Sequence, residues 1–199
     1  MTPNSILTLA RSIVNDTESA YYRTSNDALV SYVNDGLKEA SRLAPDLFLT
    51  YGDFTCTPGE TLQSLTFAEA QVLRDVIRIK DGKSVLPVDM MALQSFNPTW
   101  ATEAAGPAQN WCRHAADPLR FYVYPKAPNP QVLEVLFVRN AGTYAINDPI
   151  TEVPESIAPA LADYVIYRVE SKDDEHSNAA RAVSHYQAFV QKLGGPPKA

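Results

Sequence analysis

Apolar residues recur at helical spacing toward both ends of the chain and alternate along its middle. Near the start, Ile6, Leu7, Ala10, Ile13 and Val14 are spaced as on a helix with one buried face. Asn4 or Ser5 is placed to cap that helix, and Asn15-Asp16-Thr17 interrupts it. A loop with Tyr21, Tyr22 and Arg23 leads to the capping residues Thr24, Ser25 and Asn26. Behind them Leu29, Tyr32, Val33, Gly36, Leu37, Ala40 and Leu43 form the clearest apolar stripe, closed before Pro45. Glycine inside a helix costs about 1 kcal/mol relative to alanine, so Gly36 predicts the close approach of another helix.

The middle changes period. Phe54-Thr55-Cys56-Thr57 alternates up to the turn dipeptide Pro58-Gly59. A short helical turn is expected from Phe67 to Leu73. Val76-Ile77-Arg78-Ile79, the turn Asp81-Gly82 and Ser84-Val85-Leu86 read as a β-hairpin. Asp89 to Phe96 fits a short helix ended by Asn97-Pro98. A loop from Thr99 to Ala116 holds both tryptophans, Trp100 and Trp111. Leu119 to Tyr124 and Val132 to Val138 are rich in β-branched and aromatic residues. Around the prolines between Pro125 and Pro130, these two are expected to pair as antiparallel strands.

Helical spacing returns at Ile157, Leu161, Tyr164, Val165 and Arg168, with Pro154 and Glu155 at the start. Asp173-Asp174-Glu175 marks a break. A last helix from Asn178 places Ala182, Tyr186, Phe189, Val190 and Leu193 on one face, and Gly194-Gly195 ends it. The expected fold class is therefore α+β. The terminal helices, residues 1–49 and 151–195, form a four-helix bundle that carries residues 50–150 as a β-rich insertion. Residues 196–199 form a flexible tail.

Composition narrows the function. With 45% apolar and 20% charged residues the chain is an ordinary globular one. Its net charge of −6 disfavours binding duplex DNA by counterion release. An acidic channel wall instead lets a duplex slide past. Cys56 and Cys112 are too few for a disulfide framework and read as free, packed thiols. No apolar run is long enough to span a membrane, and the N-terminus lacks a signal-peptide pattern.

Candidate chemistry is sparse. The chain has neither a Gly-rich phosphate loop nor a Gly-x-Ser-x-Gly elbow. His176 and His185 are nine positions apart, a poor fit to two ligands on one helical face, and Cys112-Arg113-His114 offers half a metal site without a second pair. Asp173-Asp174-Glu175 reads as a solvated corner, and Asp163 as the partner of an arginine such as Arg42 or Arg168. No catalytic residue, cofactor or metal is expected. The unusual features are contact-forming: the long tryptophan loop and 10 tyrosines.

Several stretches resemble one family. Tyr22-Arg23 followed by residues 26–36, Asn-Asp-Ala-Leu-Val-Ser-Tyr-Val-Asn-Asp-Gly, is similar to the first signature of the head-to-tail adaptor proteins of tailed phages. That signature is an aromatic–basic loop entering a helix with Asn-Asp/Glu-Gly near its middle. Leu43-Ala44-Pro45-Asp46 resembles its end, and Phe121-Tyr122-Val123-Tyr124-Pro125 the family's proline-ended strand. The C-terminal likeness covers Val153-Pro154-Glu155, residues 160–168, Ser171-Lys172-Asp173 and residues 179–193, including His185 to Phe189. It extends over nearly the whole chain, and the order of the motifs carries it. One departure is Tyr22-Arg23, where a basic–Trp pair is frequent.

The resemblance, to podovirus-type connectors like tail tubular protein A, implies a structural virion protein at the head–tail junction, assembled in the host cytoplasm. It implies a homo-oligomeric, twelve-fold ring beneath the portal protein that continues the DNA channel and supports the tail nozzle or tube. Packaged DNA passes without specific binding, and no membrane is involved. The C-terminal segment then contacts the portal. Candidate interface residues are Tyr186, Phe189, Leu193, Gly194, Gly195 and Pro196, with Trp100 and Trp111. A stopper or tail terminator is the competing connector role, and a small cytoplasmic enzyme is the reading from another class.

Overall fold

The computed structural model describes residues 1–172 and 178–194. It has five α-helices and seven strands among those residues, an α+β fold, and the chain divides into two compact units. One combines Met1–Phe48 with Ala141–Ala199, and the other is Leu49–Asn140. No helix among the described residues is long and apolar enough to cross a membrane.

The helical unit contains α1 (Pro3–Val14), α2 (Asn26–Leu43), α4 (Ala158–Glu170) and α5 (Ala179–Lys192). The cap of α1 is Thr2, not the expected Asn4 or Ser5. Pro3 fills the first helical position, and Thr2 and Ser5 exchange side-chain and backbone bonds in a capping box. Asn15 then ends α1 in a left-handed conformation, φ 55°. Ser25 caps α2 and Asn178 caps α5.

Helices α1, α2 and α5 all pack on α4. Leu161, Val165, Ile166 and Val169 of α4 are buried, as are its small residues Ala160 and Ala162. Such burial all round the helix is why its apolar pattern is less one-sided than that of α1 or α2. Gly36 is where α2 comes closest. A Cβ there lies 2.9 Å from Cδ1 of Tyr164 and 3.3 Å from Cδ2 of Leu161. Residues 141–153 belong to this unit too. Asn4 and Met1 bond to Ile146 and Ile150 through the backbone. The Asn34 amide bonds both the N–H and the C=O of Tyr144, as a neighbouring strand would.

The other unit is two sheets packed face to face. Strand β7 (Val132–Arg139) lies between β1 (Leu49–Thr55) and β3 (Ala70–Ile79), antiparallel to both. The second sheet runs β2 (Leu62–Ser64), β6 (Arg120–Tyr124), β5 (Asn110–Arg113), β4 (Leu86–Pro87). Phe54, Leu73, Val76, Leu133, Val135 and Phe137 of the first sheet share one core with Trp111, Phe121 and Val123 of the second. Each such side chain contributes roughly 1.5–3 kcal/mol on burial.

Two expectations for the middle fail, and the hairpin forms only in part. Strands β6 and β7 do not pair; they lie in opposite sheets. Pro125, Pro128 and Pro130 occupy the connection and lack the N–H groups of a tight hairpin. Crossing between sheets lets Phe121 and Val123 face Leu133 and Val135 across the core. The turn at Asp81-Gly82 forms, with Asp81 at φ 56°, but its arms meet only at the bridge Arg78↔Ser84. Leu86 then leaves to pair in parallel with Asn110, because Leu86 and Val88 donate to Gln109 and Trp111. The helical turn at Phe67 to Leu73 gives way to β3, where Leu73 and Val76 are buried in the sandwich. The short helix is present as α3 (Met90–Phe96), capped by Asp89 through the N–H groups of Met91 and Ala92.

Valine at position 36 must displace the Tyr164 ring. Gly36→Val is expected to lower stability by about 1–3 kcal/mol, read as a shift of the urea midpoint at constant slope. An unshifted midpoint would disprove the close α2–α4 contact.

Candidate partner interface

The loop with Tyr22-Arg23 is held by charge. Arg11, 5% exposed, projects from α1 under that loop. Its guanidinium pairs with Asp16, donates to Thr24 O (2.7 Å) and Asn26 Oδ1 (2.9 Å), and stacks 3.4 Å from the centre of the Tyr22 ring. The backbone N–H of Arg23 donates to Asp16 Oδ1. The Arg23 and Arg181 guanidiniums lie 3.4 and 3.8 Å from Oε1 of the buried Glu170. A cavity of about 320 Å³ opens among these groups. The charged side chains named around it are paired with one another. Their chemistry is ion pairing that ties the α1–α2 loop to α4 and to the start of α5.

Further along α4, Asp163 is buried between two bases of α5. Its Oδ1 lies 2.8 Å from His185 Nδ1 and its Oδ2 pairs with Lys192. The expected arginine partners are engaged elsewhere: Arg42 with Glu39, and Arg168 with Asp35 at 2.9 Å and over the Tyr32 ring. Sequence order hides this choice, because position 163 lies between helices α2 and α5 and either can supply the base. Beside the clamp, the Tyr164 ring meets Phe189 and the Tyr167 ring meets Tyr186, each pair with centres 5.0 Å apart. The Tyr186 hydroxyl donates to Glu39 Oε1 at 2.9 Å. The bond from Arg42 holds the Glu39 carboxyl below its ordinary range, while burial first and Glu39 second push the Tyr186 phenol up.

The expected interface residues scatter. Phe189 is fully buried within the helical unit and Trp111 is in the sandwich core, so neither is a surface contact. Trp100 is also buried, edge-on to Tyr122. Tyr186 and Leu193 are half-buried, and Gly194 is exposed at φ +106°. Gly195, Pro196, His176 and Asp173-Asp174-Glu175 lie outside the described residues. His114 spends its Nδ1 accepting from the N–H groups of Ala116 and Asp117 and stacks on Tyr122. Cys56 and Cys112 are buried free thiols.

The surface is apolar where the sequence did not suggest it. Phe96, Met91 and Leu86 are 90%, 76% and 60% exposed in the β-rich unit, and Val183 and Ile13 are 57% and 46% exposed in the helical unit. Periodicity detects a helix but not which faces its neighbours leave uncovered. The one available signal is that α3 carries Met90, Met91, Leu93 and Phe96 within seven residues, more than one short helix can bury.

Three outcomes follow from this chemistry. Asp163→Ala removes the shared partner of His185 and Lys192. It should cost about 1–3 kcal/mol, little of it from the half-exposed Lys192, and should speed amide exchange along α5. Exchange confined to its wild-type rate would refute the clamp. Burial pushes both cysteine thiols up from an ordinary 9 to about 11. The native chain should therefore resist alkylation at neutral pH while the denatured chain labels twice. Between those two values the unfolded chain loses protons that the native one keeps, so stability should fall as pH rises through that window. Rapid native labelling would contradict the burial.

In comparisons with known proteins, the sequence profile of the SU10 adaptor protein family matches residues 1–197. No curated protein matches the chain in sequence. Among solved structures, a chain from the "Neck of empty GTA particle computed with C6 symmetry" aligns with 100% of this chain and 94% of its own length, at 14% identity and a TM-score of 0.34. At that score the likeness carries no structural argument.

Proposed function

The chain belongs to the SU10 adaptor protein family, and from that membership we propose that it is a non-enzymatic head-to-tail adaptor of a tailed phage or phage-like particle. In this reading copies of the chain form a ring, twelve-fold like the portal, beneath the portal protein. The ring continues the DNA channel and presents a platform to the tail nozzle or tube, as podovirus-type connectors like tail tubular protein A do. The protein acts in the virion at the head–tail junction after assembly in the host cytoplasm. The helices act as a four-helix bundle, and Leu49–Asn140 as its β-rich insertion, shorter than the expected 50–150 because residues 141–150 join the helical unit.

The family match over 197 residues carries the proposal. The surface chemistry supports it. Ion pairs and tyrosine contacts serve to hold elements together, while Phe96, Met91 and Leu86 are left for a neighbour to cover. Acidity is concentrated in the helical unit, with nine Lys and Arg against fourteen Asp and Glu; the other unit has eight against nine. An acidic ring wall does not hold DNA by counterion release, so packaged DNA passes without specific binding.

Light scattering of the purified chain, alone and mixed with the portal of its own particle, tests the proposal. A ring-sized mass, alone or on the portal, is expected. A monomer or dimer indifferent to portal would overturn it.

A further inference from the structure

We propose that the cavity bounded by α1, α2, α4 and α5 takes a small carboxylate, with Arg181 holding the anion and the apolar floor of the cavity holding an aliphatic body. The site does not depend on how copies of the chain assemble. The chain as a whole is acidic, at −6, yet cations gather here. Arg11, Arg23 and Arg181 line the cavity, and Lys172 reaches its wall by donating to Thr24 Oγ1 at 3.3 Å. These are four of the nine Lys and Arg of the helical unit. Among the described residues that line the cavity, the acids are Asp16 and Glu170.

The cations are not equally engaged. Arg11 pairs with Asp16 and spends further donors on Thr24 O and Asn26 Oδ1, while Asp16 also accepts from the N–H of Arg23. Arg181 is different. It is 42% exposed, its side chain makes no hydrogen bond among the described residues, and the acid beside it, Glu170, is 3.8 Å away. A charge-assisted N–H···O bond is about 2.7–2.9 Å long. The Arg181 guanidinium therefore feels the field of Glu170 without bonding to it, and its planar fork is left to match a second carboxylate.

Volume and lining limit the rest of the ligand. At about 320 Å³ the cavity is at the small end of the roughly 300–1,000 Å³ of ligand pockets. Its floor is Ala10, Leu29, Val165 and Val169, apolar side chains from three helices. Inorganic phosphate has nothing to set against this floor, and a neutral hydrocarbon has nothing to set against Arg181. A carboxylate on an aliphatic stem of a few carbons meets both. A free short-chain acid carries that chemistry, and so does the C-terminal residue of a polypeptide. Bound there, it ties the Tyr22-Arg23 loop more firmly to the start of α5.

The test titrates the full chain with butyrate and follows the methyl NMR signals of Leu29, Val165 and Val169. Butyrate should shift them saturably. Butyramide, of the same shape without the charge, should bind roughly tenfold more weakly or worse, and Arg181→Gln should weaken butyrate by a similar factor. Glu170→Gln should tighten butyrate severalfold by removing the competing carboxylate, which a merely structural Glu170 would not do. Where that variant fails to fold, the butyramide and Arg181→Gln arms decide. The acetylated dipeptide alanyl-valine, as free acid and as amide, separates the two sources. Tighter binding of the free acid than of butyrate assigns the site to a chain terminus, and binding of butyrate alone assigns it to a free short-chain acid. No saturable shift, equal shifts by butyrate and butyramide, or unchanged butyrate binding in Arg181→Gln overturns the site and leaves the adaptor function standing.

Discussion

The packing of helix α4 is the constraint on which the helical unit depends. Three helices pack on it, so it must be narrow where they come near. Gly36 meets the Tyr164 ring without a side chain of its own, and Ala160 and Ala162 keep α4 slim. Burial on all sides leaves little room for polar groups, and the two acids of α4 that are buried are paired with bases from neighbouring segments. Asp163 and Glu170 therefore do two jobs. They remain satisfied in the interior, and they fix where α5 and the Tyr22-Arg23 loop attach.

The Tyr22-Arg23 loop has a structural part in this arrangement. Tyr22 and Arg23 meet Arg11, Asp16 and Glu170, residues drawn from α1, the loop itself and α4. The motif is a clasp between segments far apart in sequence. The same holds for Asn34, whose amide bonds both backbone groups of Tyr144 and docks the strap of residues 141–153. Polar residues that look like candidates for chemistry serve instead to hold distant segments of the helical unit together.

Much of the helical part was legible in the residues. The stripes of α1, α2 and α5, the stop at Asn15, the short helix between Asp89 and Phe96 and the close approach at Gly36 all follow from short-range rules of spacing, capping and sterics. Legibility ended at choices between distant partners. The sequence suggested for Asp163 an arginine such as Arg42 or Arg168, and the fold selected His185 and Lys192. Trp111 read as a loop residue and became core because β5 pairs it with Val123 and sets its ring edge-on to Phe121.

The sequence by itself determined the α+β class, the placement of helices toward the termini and of strands between them, and the absence of any recognisable catalytic motif. These depend on local periodicity and composition, which a single chain displays completely. Only the tertiary structure decided that β6 and β7 part into facing sheets, that β4 runs parallel to β5, and that Phe189 lies inside while Phe96 stands out. Alternation tells a strand which side is apolar but not which strand lies beside it, and apolar character alone does not say whether a neighbouring element will cover it. Both are settled by long-range packing, where burial of the whole core outweighs the preference of any one segment.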